Sequence, residues 1–111
     1  MKAFLTGSQA YGSPTDKSDI DLVIDLKDAD FSGLVCAVNR EEIKVDCYDD
    51  TDLNLKFGRL NLIVPGSRER LRAWKRGTKA LMKRVRVSGV RATREEAGAE
   101  FKRQFESEGL Q

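Results

Sequence analysis

The chain contains no histidine. That absence excludes an imidazole general base, a serine or cysteine nucleophile activated by imidazole, and a histidine-ligated zinc. Any catalysis falls to carboxylates, lysine, hydroxyls, thiols or a bound metal. Cysteine is scarce: Cys36 and Cys47 lack the close spacing of a metal knuckle and read as reduced core residues rather than a disulfide. No apolar run approaches the roughly 20 residues of a membrane span. Met1-Lys2 leads straight into a strand pattern without an apolar signal core, so a cytoplasmic protein with no membrane partner is expected. There is no internal repeat and no low-complexity tract. A length of 111 residues suits one domain.

Charge is plentiful but unevenly placed. Residues 1–55 hold 5 basic against 12 acidic side chains, and residues 56–111 hold 15 against 6. The basic half suits a triphosphate, a nucleic acid or an acidic partner; the plainer reading is two solvated faces that attract one another.

The informative stretch runs from Phe4 to Ile24. A short apolar strand over Ala3–Leu5 meets a Gly7-Ser8 turn, then a polar loop closed by Ser13-Pro14, then a strand from Asp19 to Leu26. Residues two apart on a strand share a face, so Asp19 and Asp21 project together while Ile20, Leu22 and Ile24 project oppositely. Paired carboxylates repel unless a cation lies between them, and a hard divalent ion with oxygen ligands, Mg²⁺ above all, answers that need. The Gly7-Ser8 turn is the complementary half, since glycine lets a backbone approach a phosphate closely.

Gly7-Ser8, ten residues, then Asp19-Ile20-Asp21 resembles the signature of the polymerase-β-like nucleotidyltransferase superfamily, at the spacing of its minimal members. Gly58-Arg-Leu-Asn-Leu-Ile-Val64 followed by a tryptophan-bearing helix also looks like small phage-borne nucleotidyltransferase-like proteins. The resemblance implies an α+β two-layer fold: a mixed sheet of about four strands with helices on one face, the palm-like core of polymerase β. It implies Asp19, Asp21 and Asp46 as metal-binding catalytic carboxylates. Asp46 enters from a third strand over residues 42–48, where Ile43, Val45 and Cys47 alternate with Lys44, Asp46 and Tyr48. The Gly7 and Ser8 backbone and the Ser8 hydroxyl would hold phosphates. Lys17 and Ser18 lie near the same path, although Lys17 reads equally as a solvated side chain and Ser18 as a brace for its loop.

The implied cofactor is Mg²⁺ or Mn²⁺ and the implied substrate ATP or another nucleoside triphosphate. The implied acceptor is a tyrosine of a helical, toxin-like partner protein, as in toxin–antitoxin pairs; RNA is the other acceptor. Two further readings keep the fold: a nucleic-acid-binding module, and a catalytically silent interaction protein. With no helix pattern ahead of the first strand, one sheet face is left for a second copy of the chain or a partner.

One domain spanning 1–111 is expected, with the catalytic strands and loops in 1–50 and helices in 67–111. Lys27–Asp30 reads as a turn that Asp30 could cap, and Phe31–Asn39 as a short helix or extended segment. Phe57–Val64 reads as a fourth strand. Ser67 should cap a helix whose apolar face carries Leu71, Trp74, Thr78, Leu81, Met82 and Val85, with Arg72, Lys75, Arg76, Lys79 and Lys83 opposite. Trp74 reads as a core anchor rather than a base-stacking platform. Thr93-Arg-Glu-Glu96 matches a capping box for a last helix over Arg94–Ser107, with Ala97, Phe101 and Phe105 inward.

Overall fold

The computed structural model describes residues 2–25, 44–46 and 52–110. The readings for Lys27–Asn39, Cys36, Cys47, Tyr48, Asp49 and Asp50 fall outside them. The strands are β1 (Lys2–Thr6), β2 (Ile20–Asp25), β3 (Lys44–Asp46), β4 (Asp52–Phe57) and β5 (Leu60–Pro65); the helices are α1 (Arg68–Ser88) and α2 (Arg94–Ser107). The expected α+β fold with a mixed sheet is found, and its helices pack on one face.

Two details differ from the sequence reading. Among the described residues the sheet has five strands, in the order β1-β2-β5-β4-β3, and the expected fourth strand is β5, preceded by a further strand, β4, with which it forms a hairpin. Gly58, at a φ of 60°, opens a two-residue turn with Arg59. Positive φ at the tip is what a tight hairpin demands, and glycine adopts it without steric cost.

Registers place the side chains. β1 pairs antiparallel with β2, setting Thr6 opposite Asp21 and Phe4 opposite Val23. β5 runs parallel to β2 with Asp21 beside Asn61 and Val23 beside Ile63. β4 sets Lys56 against Asn61. One face thus carries Val23 and Ile63 under Leu71 of α1, flanked by Phe4 and Trp74. The opposite face carries a second buried cluster of Ile24, Leu55 and Val64.

Both helices begin where side chains can satisfy their first N–H groups. The Ser67 hydroxyl accepts from Arg70 N at 3.1 Å. The Thr93 hydroxyl accepts from Glu96 N while the Glu96 carboxylate accepts from Thr93 N, which completes the capping box. α1 stops at Gly89, in the left-handed region at φ 72°, as helices commonly do. Leu71 and Leu81 are buried as the apolar stripe requires, whereas Met82 is 44% exposed. Gly77 allows the helices to touch, since a methyl there would lie 2.5 Å from the Phe101 ring.

Trp74 is an anchor, as its place in the stripe suggests. Its ring centroid lies 5.0 Å from that of Phe101 and 5.9 Å from that of Phe105, and its indole N–H donates to Asp52.

The helical layer carries an acid-sensitive element. Hydrogen bonds from Thr93 hold the Glu96 carboxyl below its usual 4.5, and a hydrogen bond from Arg72 does the same for Glu108. The unfolded chain therefore binds protons more readily at these two groups. Their contribution is complete above the ordinary glutamate range and is lost as pH falls through the lowered folded values. Urea midpoints measured from about pH 6 to about pH 3 should fall, and a Glu96→Gln, Glu108→Gln variant, which lacks both carboxyls, should show a shallower fall.

Candidate active site

The site forms where β1 ends and β2 and β5 begin. β1 ends at Thr6, whose hydroxyl shares a 2.8 Å hydrogen bond with that of Thr78 on α1. The chain then turns at Gly7, with φ 71°, into a short 3₁₀ turn over Gly7–Gln9. A methyl at Gly7 would lie 2.2 Å from Asp21 Oδ2. Glycine is thus required twice, by its backbone angle and by the carboxylate beside it.

The loop after Gly7 is fastened by the helical layer. Tyr11 is buried with Leu81 and Ala92, and burial raises its phenol above the ordinary 10. Ala92 N donates to the Tyr11 carbonyl at 2.8 Å. The Arg91 guanidinium donates to the carbonyls of Gly12 and Ser8. The linker between α1 and α2, far away in sequence, therefore fixes the Gly7-Ser8 turn.

Asp19 immediately precedes β2 rather than lying in it. Arg59 holds it there: its guanidinium donates twice to the Ser18 carbonyl, at 3.2 and 3.0 Å, and its own carbonyl accepts from Ile20 N. Asp19 Oδ2 accepts from Lys56 Nζ. Asp21 Oδ1 accepts from Asn61 Nδ2 at 3.0 Å. Thr6, Asp21, Asn61 and Lys56 form one lateral row across four strand positions on the helix-bearing face.

Gly7, Ser8, Asp19 and Asp21 are therefore brought together. Ser18 is a neighbour by chain, but its hydroxyl accepts from Thr15 N at 2.7 Å and so braces the loop. Lys17 lies exposed on that loop. Asp46 is not brought in. Its register partner is Asn54, and β5 and β4 stand between β3 and β2. At about 4.8 Å per strand, its backbone lies roughly 14 Å from that of Asp21. The sheet order places β5, not β3, beside β2.

Sequence reading missed Lys56, Asn61, Arg59 and Arg91. Asn61 had a visible signal: it is the one polar residue in Leu60-Asn-Leu-Ile-Val64, and a buried strand seldom carries an amide without use for it. Lys56 and Arg91 had none, because only the tertiary fold brings them in.

Oxygen donors at Asp19 and Asp21 with an amide alongside suit a hard divalent cation. One observation supports that fit: Asn61 Oδ1 is buried without a hydrogen-bond partner among the described residues. Among the described residues, no cluster of three or more histidine, cysteine, aspartate or glutamate side chains could hold a metal. Asp19 and Asp21, with the Asn61 amide beside them, are the described residues that would hold such an ion.

A family model for the nucleotidyltransferase domain matches residues 1–109, and the chain belongs to that family of transferases, which move nucleoside monophosphates. No curated protein and no solved structure gives a match. Among the described residues, no helix is long and apolar enough to cross a membrane.

Proposed function

We propose that the protein transfers a nucleoside monophosphate, AMP from ATP in the first instance, to a hydroxyl on a macromolecular acceptor. The observation that carries this reading is the contact between the Gly7 turn and Asp21, where a single methyl would strike the carboxylate. A phosphate seated on that turn lies beside Asp21, as nucleotidyl transfer requires. The acceptor oxygen bonds to the α-phosphorus, the bond to the bridging oxygen breaks, pyrophosphate leaves, and the hydroxyl proton passes to solvent.

Gly7 and Ser8 hold the phosphates, and Lys17 reaches the triphosphate from its exposed loop. Asp19 and Asp21 hold Mg²⁺ or Mn²⁺, which when bound supplies positive charge to the phosphate oxygens. The acceptor we favour is a tyrosine of a helical, toxin-like partner, the substrate class of the minimal enzymes that the Gly-Ser and Asp-x-Asp spacing resembles. RNA is the alternative acceptor.

The test is transfer of α-labelled nucleotide to host extract and to total RNA with Mg²⁺ or Mn²⁺. Asp21→Asn should lower labelling by about 100-fold or more, the scale of losing one electrostatic partner of the reacting group. A folded Asp21→Asn chain that labels at the wild-type rate would refute the mechanism.

Lys79, Lys83 and Arg86, exposed on the outer face of α1, favour a second reading, a nucleic-acid-binding module. Neighbouring cations there are partly engaged: Arg72 and Arg76 pair with Glu108, and Lys75 lies 3.9 Å from Asp25. Binding to RNA that weakens steeply with salt, without transfer, would select that reading.

A further inference from the structure

We infer that the site holds a single divalent cation, bound by Asp19, Asp21 and the side-chain oxygen of Asn61, with the Lys56 ammonium standing on Asp19 as a built-in second cation. This rests on the transfer reading for its purpose, though its evidence is separate.

The strand order carries the first part. β5 lies parallel to β2 and sets Asn61 directly beside Asp21. On the other side of Asp21 the row is filled by Thr6, whose hydroxyl is engaged with Thr78. A ligand joining Asp21 from a neighbouring strand therefore comes from residue 61, and that residue is a neutral amide.

Asn61 is 9% exposed. Its amide is tied to Asp21 through Nδ2, while Oδ1 has no hydrogen-bond partner among the described residues. A buried carbonyl oxygen left so is uncommon in folded proteins and calls for an explanation such as an ion. The nitrogen and oxygen of an asparagine amide exchange places by a half-turn of the group. Without an ion the nitrogen faces Asp21, because a bare amide oxygen beside a carboxylate is repelled; a cation between Asp21 and residue 61 reverses that preference, and the orphaned oxygen gains a partner by turning onto the ion.

Charge carries the second part. Two divalent ions held close together repel strongly unless neighbouring negative groups offset them. Among the described residues only two carboxylates meet, and Lys56 already lies on one of them. One divalent ion with these three groups leaves a single net positive charge, suited to a triphosphate. A second divalent ion would sit against the ammonium with no carboxylate of its own. Asp19 and Lys56 side chains are 40% and 33% exposed, so phosphate oxygens can reach both.

The experiment is Mn²⁺ titration of the full chain, counting free ion by electron paramagnetic resonance, with circular dichroism as the folding control. Wild type should bind one Mn²⁺ per chain. Asn61→Ala should weaken binding about tenfold or more and Asn61→Asp should tighten it by a similar factor, since affinity follows ligand type and charge. Lys56→Gln should tighten the first ion or admit a second. If Asn61→Ala does not fold, the Asn61→Asp and Lys56→Gln results decide.

Two ions bound by wild type, no ion bound, or unchanged affinity in Asn61→Asp and Lys56→Gln would each overturn the inference. The outcomes also separate it from the transfer reading. One ion sensitive to Asn61, without nucleotide transfer, overturns transfer alone. Transfer supported by two bound ions overturns the single-ion site alone.

Discussion

Replacing Asp52 by alanine should destabilise the chain by about 3–5 kcal/mol, the cost of leaving a buried charge without its partner. The Asp52 and Arg70 side chains are only 6% and 10% exposed. Arg70 donates from Nε and Nη2 to the two carboxylate oxygens, both at 2.7 Å. The same carboxylate accepts from Gly66 N at 3.2 Å and from the Trp74 indole at 3.2 Å. The guanidinium in turn lies 4.5 Å above the Phe105 ring. The Asp52–Arg70 pair thus joins the start of β4, the turn into α1, and both helices.

Without the carboxylate, Arg70 would remain buried against apolar rings and Trp74 would lose its acceptor. Urea unfolding should show a lower midpoint with an unchanged slope, the mark of lost stability rather than altered compactness. An Asp52→Leu, Arg70→Met double variant should recover much of the loss, since buried ion pairs contribute little net stability relative to apolar replacements. A single variant as stable as wild type would refute the account.

Gly7→Ala should reduce nucleotide transfer by about 100-fold or more, because displacement of a reacting group by about 1 Å has effects of that size. The added methyl meets Asp21 Oδ2 at 2.2 Å, so either the carboxylate or the phosphate-facing turn must move. The left-handed backbone at φ 71° adds a stability cost of about 1–2 kcal/mol for a non-glycine residue.

Gly58→Ala separates the two effects. Gly58 also has a positive φ, of 60°, but a methyl there meets nothing within 4 Å. It should incur the backbone cost while keeping transfer near wild type. Initial transfer rates and urea midpoints for both variants make the comparison. Equal activity in Gly7→Ala and Gly58→Ala would show that the Asp21 contact is not needed.

Local signals were read faithfully from the chain. Ser67 and the Thr93–Glu96 box cap helices because a side chain three residues from an N–H can reach it whatever the rest of the fold does. The stripe of Leu71, Trp74, Thr78 and Leu81 faces inward because helical geometry fixes that spacing. The Phe57–Val64 run was harder. Its first residue ends β4, Gly58 and Arg59 turn, and Leu60–Val64 belongs to β5; β4 itself has a weak local signal because its alternate residues Asp52, Asn54 and Lys56 are polar and follow a polar break.

By itself, the sequence determined the Gly7-Ser8 turn, the Asp19 and Asp21 pair, the absence of histidine chemistry, the helices and the family those motifs suggest. All of these depend on residue type and on spacing along a few turns or one strand. Tertiary structure alone decided which strand lies beside β2. That choice brings Asn61 rather than Asp46 to Asp21, sets Lys56 on Asp19, and ties the Gly7 loop to Arg91 and Ala92. Strand order is settled by how whole elements bury their faces together, and no local spacing encodes it.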